Sequence, residues 1–486
     1  MTPHLFAQLF FYTPNIPTQY GWIEAVRVVA RVLMGVFGIL LAVPPLVWWE
    51  RRLLGWMQQR QGPNRVGPFG LLQTIADGLK LLFKEDMNPT NVDKTLFVLA
   101  PMVFLIPALV TAGVVPWGPS RTWGAVAPNI SVGVLYMLAW SSLGVYGVVL
   151  AGWSSNNKYS LLGGLRSSAQ MISYELGMGL AIISVVLLTG SLTMHDIVEH
   201  QGYYQISPTF THYGIALPEW NVLKFFPLGF VAALIYIVSM LAETNRAPFD
   251  LPEAETELVA GYHTEYTSMK FATFFLGEYA NMIVVSAIAA TLFFGGYNGI
   301  IPWLNQLPMG IVHLYSANAT GGRDLTHWGV PVLTQIINAF IPVVWFTLKI
   351  LAGLYFFIWI RATLPRLRYD MLMKFGWQGI LPIALVNILL LAIALAVSYW
   401  VALIAWVVVS GVILVLFAGS KPSKLFTANS RRSATIRLSS GAEPYRVVAE
   451  HSGYGAQTLP PDAKIGGFPD ASTEREADKI DAALTK

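Results

Sequence analysis

Eight apolar blocks separated by polar joints decide what this chain can become. They lie at about residues 26–49, 95–117, 131–153, 171–190, 224–241, 271–294, 333–360 and 378–418. Roughly 20 apolar helical residues cross the hydrocarbon core of a bilayer, so each of the first seven reads as one span. The eighth is too long for one and divides near Ser398–Val401, which gives nine; a single long tilted helix is the alternative there. Backbone in lipid must satisfy its own hydrogen bonds, so the expected fold is an all-α polytopic integral membrane protein. The composition agrees, with 55% hydrophobic residues, 12% charged residues and a mean hydropathy of +0.54.

Lysine and arginine fix the expected orientation. One set of joints carries Arg51, Arg52, Arg60, Arg65, Lys80, Lys84 and Lys94, then Lys158 and Arg166, Arg246 and Lys270, and Arg361, Arg366, Arg368 and Lys374. The alternate joints hold only Arg121 and Arg323, plus Arg27, Arg31 and Lys224 near span ends. Positive charge stays in the cytoplasm, so the N-terminus is expected in the periplasm. The first 20 residues carry no Lys or Arg, which argues against a cleavable signal. The layout is a periplasmic lead at 1–25, a helix bundle at 26–418 and a polar, disordered cytoplasmic tail at 419–486. Cytoplasmic loops fall at 50–94, 154–170, 242–270 and 361–377. Within the first of these, Phe69, Leu72, Ala76, Leu79 and Phe83 form one helical stripe, and Gln73, Asp77, Lys80 and Lys84 another. That pattern predicts an amphipathic helix at the membrane interface. The double proline Pro44–Pro45 predicts a kink in the first span.

Acidic residues are scarce, 27 in 486, yet seven fall between Ala242 and Asn281: Glu243, Asp250, Glu253, Glu255, Glu257, Glu265 and Glu278. Carboxylates beside a span are costly and call for a reason. Asp250-Leu-Pro-Glu253 reads as a helix start, which places Glu253 and Glu257 on one face and Glu255 on another. Glu278 lies eight residues past Lys270, roughly 12 Å into the next apolar block at helical rise. A proton relay accounts for this ladder better than a solvated acidic loop, which leaves Glu278 unexplained. Glu175 enters a span with no cation near it in sequence, so it needs a partner from another helix or a proton. For Asp77, an ordinary surface pair with Lys80 is as good a reading as a functional one. Arg361, Arg366 and Arg368 serve by default as the positive-inside signal, and gathered near the carboxylates they balance charge or face a partner protein. His263 stands alone in GYHTEY, with hydrogen bonding as its plain role.

The chain contains no cysteine, which excludes disulfides and cysteine-held zinc or iron–sulfur sites within it. It shows no metal-ligand spacing, phosphate loop or dinucleotide fingerprint. Any electrons therefore belong to partners.

Four long motifs resemble a known family. Glu50-Arg51-Arg52 with RQGPNRVGPFGLLQTIADGLKLLFKED, then NKYSLLGGLRSSAQMISYEL, NRAPFDLPEAETELVAGYHTEYTSMKFATFFLGEY and FIWIRATLPRLRYDMLMKFGW are similar to the H subunit of respiratory complex I, the proton-pumping NADH:quinone oxidoreductase. The likeness covers roughly residues 25 to 400; the polar tail has no counterpart, and the outer loop 295–332 is long and Gly-rich. The resemblance implies a membrane component that binds no redox cofactor of its own, in a bacterial inner membrane. Quinone is the substrate, with FMN and iron–sulfur clusters in other complex I subunits and with peripheral-arm and membrane-arm subunits as partners. It implies no nucleic acid. Carried over by motif, the charged path comprises Glu50, Asp77, Glu175, Glu253, Glu255, Glu257, Glu265 and Glu278. Arg51, Arg60, Arg246, Phe249, Arg361, Arg366 and Arg368 match residues that line or support a quinone tunnel. Two rivals are the membrane anchor of an energy-converting hydrogenase and a stand-alone proton-coupled transporter. The sharpness of GPNRVGPFG and PFDLPEAE disfavours the first, and the lack of internal repeats disfavours the second.

Overall fold

The structure is a computed structural model that describes residues 21–118, 130–204, 217–250, 260–299 and 330–408, and three short strands near the C-terminus. Its helices are α1 (Gly21–Met57), α2 (Gln73–Phe83), α3 (Lys94–Ala112), α4 (Gly133–Ser154), α5 (Lys158–Thr189), α6 (Met194–Glu199) and α7 (Leu228–Glu243). There follow α8 (Ser268–Phe293), α9 (Val330–Thr363), α10 (Tyr369–Lys374), α11 (Leu381–Ala396) and α12 (Tyr399–Val408). Among the described residues, seven stretches are long and apolar enough to cross a membrane: within α1, α3, α4, α5, α8 and α9, and from Tyr369 to Ala396. The two other expected spans correspond to shorter apolar helices, α7 with 16 residues and α12. The chain leaves helix between α11 and α12 at Val397–Ser398, where the sequence divides its last apolar block.

Several boundaries differ from the sequence reading. α5 begins at Lys158, so most of the expected loop 154–170 is helix. Its first turns carry Lys158 and Arg166, which lower the hydropathy there, yet Ser160, Gly163, Gly164 and Ser167 are buried against neighbours. Asn157 caps this helix by accepting from the Tyr159 N–H at 3.0 Å. Likewise Asp93 caps α3 through the Thr95 and Leu96 N–H groups. α1 remains helical through Pro44 and Pro45. The expected 19-residue interfacial helix is a short 3-10 turn at Pro68–Gly70 followed by the 11 residues of α2. None of those 11 is buried, and Phe69, Leu72, Leu79 and Phe83 are all exposed. An apolar stripe left uncovered by protein is what a helix lying in the headgroup region presents to lipid.

The core is built where α8 runs through the bundle. From Gly277 to Phe293 it is buried at nearly every position, and α3, α7 and α9 pack on it. Small residues set the close crossings; a Cβ at Gly147 of α4 would lie 2.7 Å from the Phe104 backbone of α3. At one end of α8, Lys349 of α9 donates to the carbonyls of Phe294, Gly296 and Asn298 at 2.6, 2.8 and 2.5 Å. A cation there meets the negative end of the helix dipole and its unpaired carbonyls.

Not everything is helical. Tyr203–Tyr204 pairs antiparallel with Leu217–Pro218. Residues 407–486 form a separate unit, in which Ser433–Ile436, Tyr445–Val448 and Gln457–Thr458 make a three-stranded antiparallel sheet. The expectation of a disordered tail does not include those strands; the rest of the tail lies outside the described residues.

Candidate functional site

Two groups of carboxylates lie inside the bundle. The first surrounds Arg246, which follows α7. Glu50 of α1 is 3% exposed. Its Oε1 sits 2.5 Å from Arg361 Nη1 of α9 and 3.9 Å from Arg246 Nη1. Its Oε2 accepts from the Tyr279 hydroxyl at 2.5 Å. The same Arg246 guanidinium reaches Glu278, with Nη2 3.7 Å from Oε2, and covers the Tyr279 ring at 4.3 Å. Glu278 Oε1 accepts from Tyr262 at 3.2 Å and lies 3.6 Å from His263 Nε2. Buried charges persist only when paired and hydrogen-bonded. A planar guanidinium suits this place because it can face two carboxylates while stacking on an aromatic ring.

Local sequence brings these groups together. Glu278 and Tyr279 are neighbours on α8, so they diverge around the helix, one toward His263 and the other toward Glu50. The Gly261–His263 turn lies directly on α5, because a Cβ at Gly163 would come within 2.5 Å of the Gly261 Cα. Replacing Gly163 would push Tyr262 and His263 off Glu278.

The second group contains no cation among the described residues. Glu175 of α5 is contacted by the Ser142 hydroxyl of α4. That hydroxyl also lies 2.9 Å from the Leu138 carbonyl. It has one hydrogen and two claimants, so its direction depends on whether Glu175 carries a proton. Glu243, the last residue of α7, is 5% exposed, and its Oε2 has no hydrogen-bond partner among the described residues. It lines a narrow cavity of about 30 Å³ together with Thr111, Ser141, Tyr236 and Asn281.

Other predicted residues form a shell at the joints. Asp77 is claimed by Arg51 at 2.5 Å and by Gln73 at 3.3 Å, so its ion pair is with α1 and not with Lys80 as the spacing allowed. Burial raises the Asp77 pKa, but the hydrogen bonds from Arg51 and Gln73 and the charges of Arg51 and Lys80 together hold it below the ordinary carboxylate value. Arg366 pairs with buried Asp250 at 3.1 Å, and Phe249 packs against the Tyr174 ring at 5.5 Å. Glu265 accepts from Asn157 at 2.7 Å, on the rim of a separate polar cleft near Trp153 and Lys158. The Tyr266 phenol, buried beside Ser154, is pushed up to about 12 by burial. Arg60 reaches Gln58, and Arg368 makes an exposed pair with Asp370, so neither joins the buried groups. Glu253, Glu255 and Glu257, with the helix start expected at Asp250, lie outside the described residues beyond Asp250 itself.

Several participants were not visible in the sequence. Glu243 counts among the seven acids but not in the expected path, although a glutamate closing an apolar helix was the available signal. Tyr262, Tyr279, Ser142 and Asn281 gave no signal, since each matters only through what faces it. His263 lies beside Glu278 as a neutral or charged neighbour, and among the described residues no group of three or more His, Asp or Glu is placed to hold a metal. An apolar cavity of about 670 Å³ opens between α1, α8 and α9, lined by Met34, Ile39, Leu46, Trp49, Leu71 and Leu354 among others.

The chain matches known proteins over the same stretch that holds these helices. A family model described as NADH dehydrogenase matches residues 30–392. The NADH-quinone oxidoreductase H subunit numbered 2 of Koribacter versatilis (strain Ellin345) is 45% identical over 385 residues, 76% of this chain and 96% of that protein. The NADH-quinone oxidoreductase H subunit of Rickettsia typhi (strain ATCC VR-144 / Wilmington) is 46% identical over 374 residues, 77% of this chain and 95% of its own length. Its namesake in Rickettsia bellii (strain RML369-C) is 48% identical over 372 residues, 76% of this chain and 93% of its own.

Proposed function

This chain belongs to the family of NADH-quinone oxidoreductase H subunits, and on that premise we propose that it helps enclose the quinone and passes the consequence of quinone reduction to buried carboxylates. It is a multi-pass membrane protein, placed by this reading in a bacterial inner membrane beside the other subunits of the complex. Flavin and iron–sulfur clusters reside in those partners, and quinone is the shared substrate. The observation that carries the proposal is Arg246, which touches both Glu50 and Glu278 and so ties the joints to the interior of the bundle. The apolar cavity beside α1 supports the reading, since its walls suit an isoprenoid tail. Reduction of quinone takes up two protons, which changes charge near Glu50 and Asp250 and biases the carboxylates coupled to them.

The test is Glu278→Gln in the intact complex. Quinone reductase activity and proton pumping are expected to fall together, roughly tenfold or more, when normalised to NADH:ferricyanide activity of the same membranes. Pumping and quinone reduction at wild-type levels would sink the reading. Purification through a tag on the C-terminal tail is expected to recover flavin and iron–sulfur proteins; recovery of a nickel–iron hydrogenase would move the chain to the other branch.

A further inference from the structure

The cavity between α3, α4, α5, α7 and α8 is walled mostly by apolar side chains, with five polar residues among them. Its volume of about 30 Å³ holds about two water molecules. A water in such a place needs two to four polar partners. The lining supplies Glu243, Asn281, Ser141, Thr111 and Tyr236. Three of these have already spent their donors: Tyr236 on the Val285 carbonyl at 3.1 Å, Thr111 on Pro107 at 2.8 Å and Ser141 on Leu138 at 3.0 Å. They can still accept. The carboxyl oxygen Oε2 of Glu243 has no hydrogen-bond partner among the described residues, and Asn281 lines the same space. An amide both donates and accepts, so it can orient a water in a way an apolar side chain cannot.

Position gives this amide its meaning. Asn281 stands three residues beyond Glu278 on α8, on the same face and about 4.5 Å further along the axis. Across the cavity, Ser141 adjoins Ser142, the contact of Glu175. Asn281 therefore shares a helix face with the carboxylate bound to Arg246 and a cavity wall with Glu243.

We propose that Asn281 is a positioning residue that fixes water in this cavity, so that Glu243 exchanges protons with Glu278 on one side and Glu175 on the other. The step balances without a co-reactant. A carboxyl O–H gives its proton to the water oxygen, the water gives a different proton to the next carboxylate, and the water is unchanged. This inference rests on the proton-coupling reading above.

Asn281→Leu keeps the branching at Cγ and removes the amide, and the smaller Asn281→Val removes it without filling the cavity as leucine does. In the assembled complex, normalised to ferricyanide activity, the leucine variant is expected to lower proton pumping roughly tenfold, and Asn281→Asp, which again offers hydrogen-bonding oxygens, is expected to restore most of it. The solvent deuterium isotope effect on quinone reduction should rise in the leucine variant and return toward normal in the aspartate variant. Asn281→Val takes the place of the leucine variant if the latter fails to assemble. Wild-type pumping in the apolar variants overturns the proposal. So does equal loss in the apolar and aspartate variants with an unchanged isotope effect, which marks a packing role. Glu243→Gln separates the two levels: if it pumps normally, the coupling reading itself fails, and if it does not while Asn281→Leu does, only the role of Asn281 falls.

Discussion

The carboxylates around Arg246 and Glu243 are buried and Glu175 beside the latter is half-buried, but the two groups are balanced differently. Glu50 and Glu278 share one guanidinium, with a second at Glu50 and phenols completing the set. Glu175 meets a hydroxyl and Glu243 a small cavity, with no cation among the described groups around them. In the first group, charge is fixed by partners whose removal leaves a buried ion. In the second, no arginine holds the charge in place. On the proposed function, the first group is the rigid receiver of a charge change and the second its compliant carrier.

Breaking the receiver should have the largest effect. Arg246→Ala removes the guanidinium that two buried carboxylates share, leaving Glu50 to Arg361 and Glu278 to Tyr262 and His263, and loss of one partner of such a pair costs about 3–5 kcal/mol. The expected outcome is little assembled complex, read by native gel and ferricyanide activity in membranes; normal assembly would show that the two groups are not balanced differently after all. Breaking the carrier should separate stability from function. Glu243→Gln and Glu175→Gln orphan no ion, so thermal stability of the complex should change by about 1 kcal/mol or less, while pumping collapses. A stability loss as large as that of Arg246→Ala would erase the distinction.

Ser142→Ala sharpens it further. One hydroxyl contact to Glu175 is lost, worth about 1 kcal/mol, and pumping should fall by a few-fold with assembly intact; unchanged pumping would remove Ser142 from the path. The smallest effect belongs to Asp77, which lies outside both groups on the interfacial helix. Its folded pKa is below the ordinary value of 3.8, so its contribution is full above that value and is lost as pH falls through the lower folded value. Asp77 and Arg51 are partly exposed, with 26% and 42% of their side chains accessible, so solvent screening keeps the pair to a few tenths of a kcal/mol. Asp77→Asn should therefore leave stability at pH 7 nearly unchanged and flatten its decline below about pH 4, followed by tryptophan fluorescence in detergent. An unaltered acid limb would count against the Arg51 pair.

Much of this molecule is written in one dimension. The apolar blocks mark the spans because a bilayer demands about 20 apolar residues in helix wherever the chain sits. The periodicity of 69–83 marks an amphipathic helix, and its apolar stripe is exposed in the structure. The burial of Glu278 was also legible, as it stands within an apolar run, whereas Glu50, read as the start of a cytoplasmic loop, is buried by its contacts with α8 and α9. Their partners were not legible. Lys80 is nearer than Arg51 to Asp77 in sequence, yet packing of α1 on α2 gives Asp77 to Arg51. The helical start of α5 was hidden because lipid-scale hydropathy undervalues a turn whose polar face is covered by protein. Tyr279, Ser142 and Asn281 are ordinary letters in apolar helices, and they acquire roles only where α1, α4, α5, α7 and α8 converge. A hydrogen bond needs its atoms about 3 Å apart, and residues far apart in the chain reach that distance only through the packing of the whole bundle. Helices and the burial of Glu278 thus follow from residue order alone, through solvent preferences that each side chain carries by itself. Which carboxylate is answered by arginine, and which by a small cavity, was settled by how the helices pack.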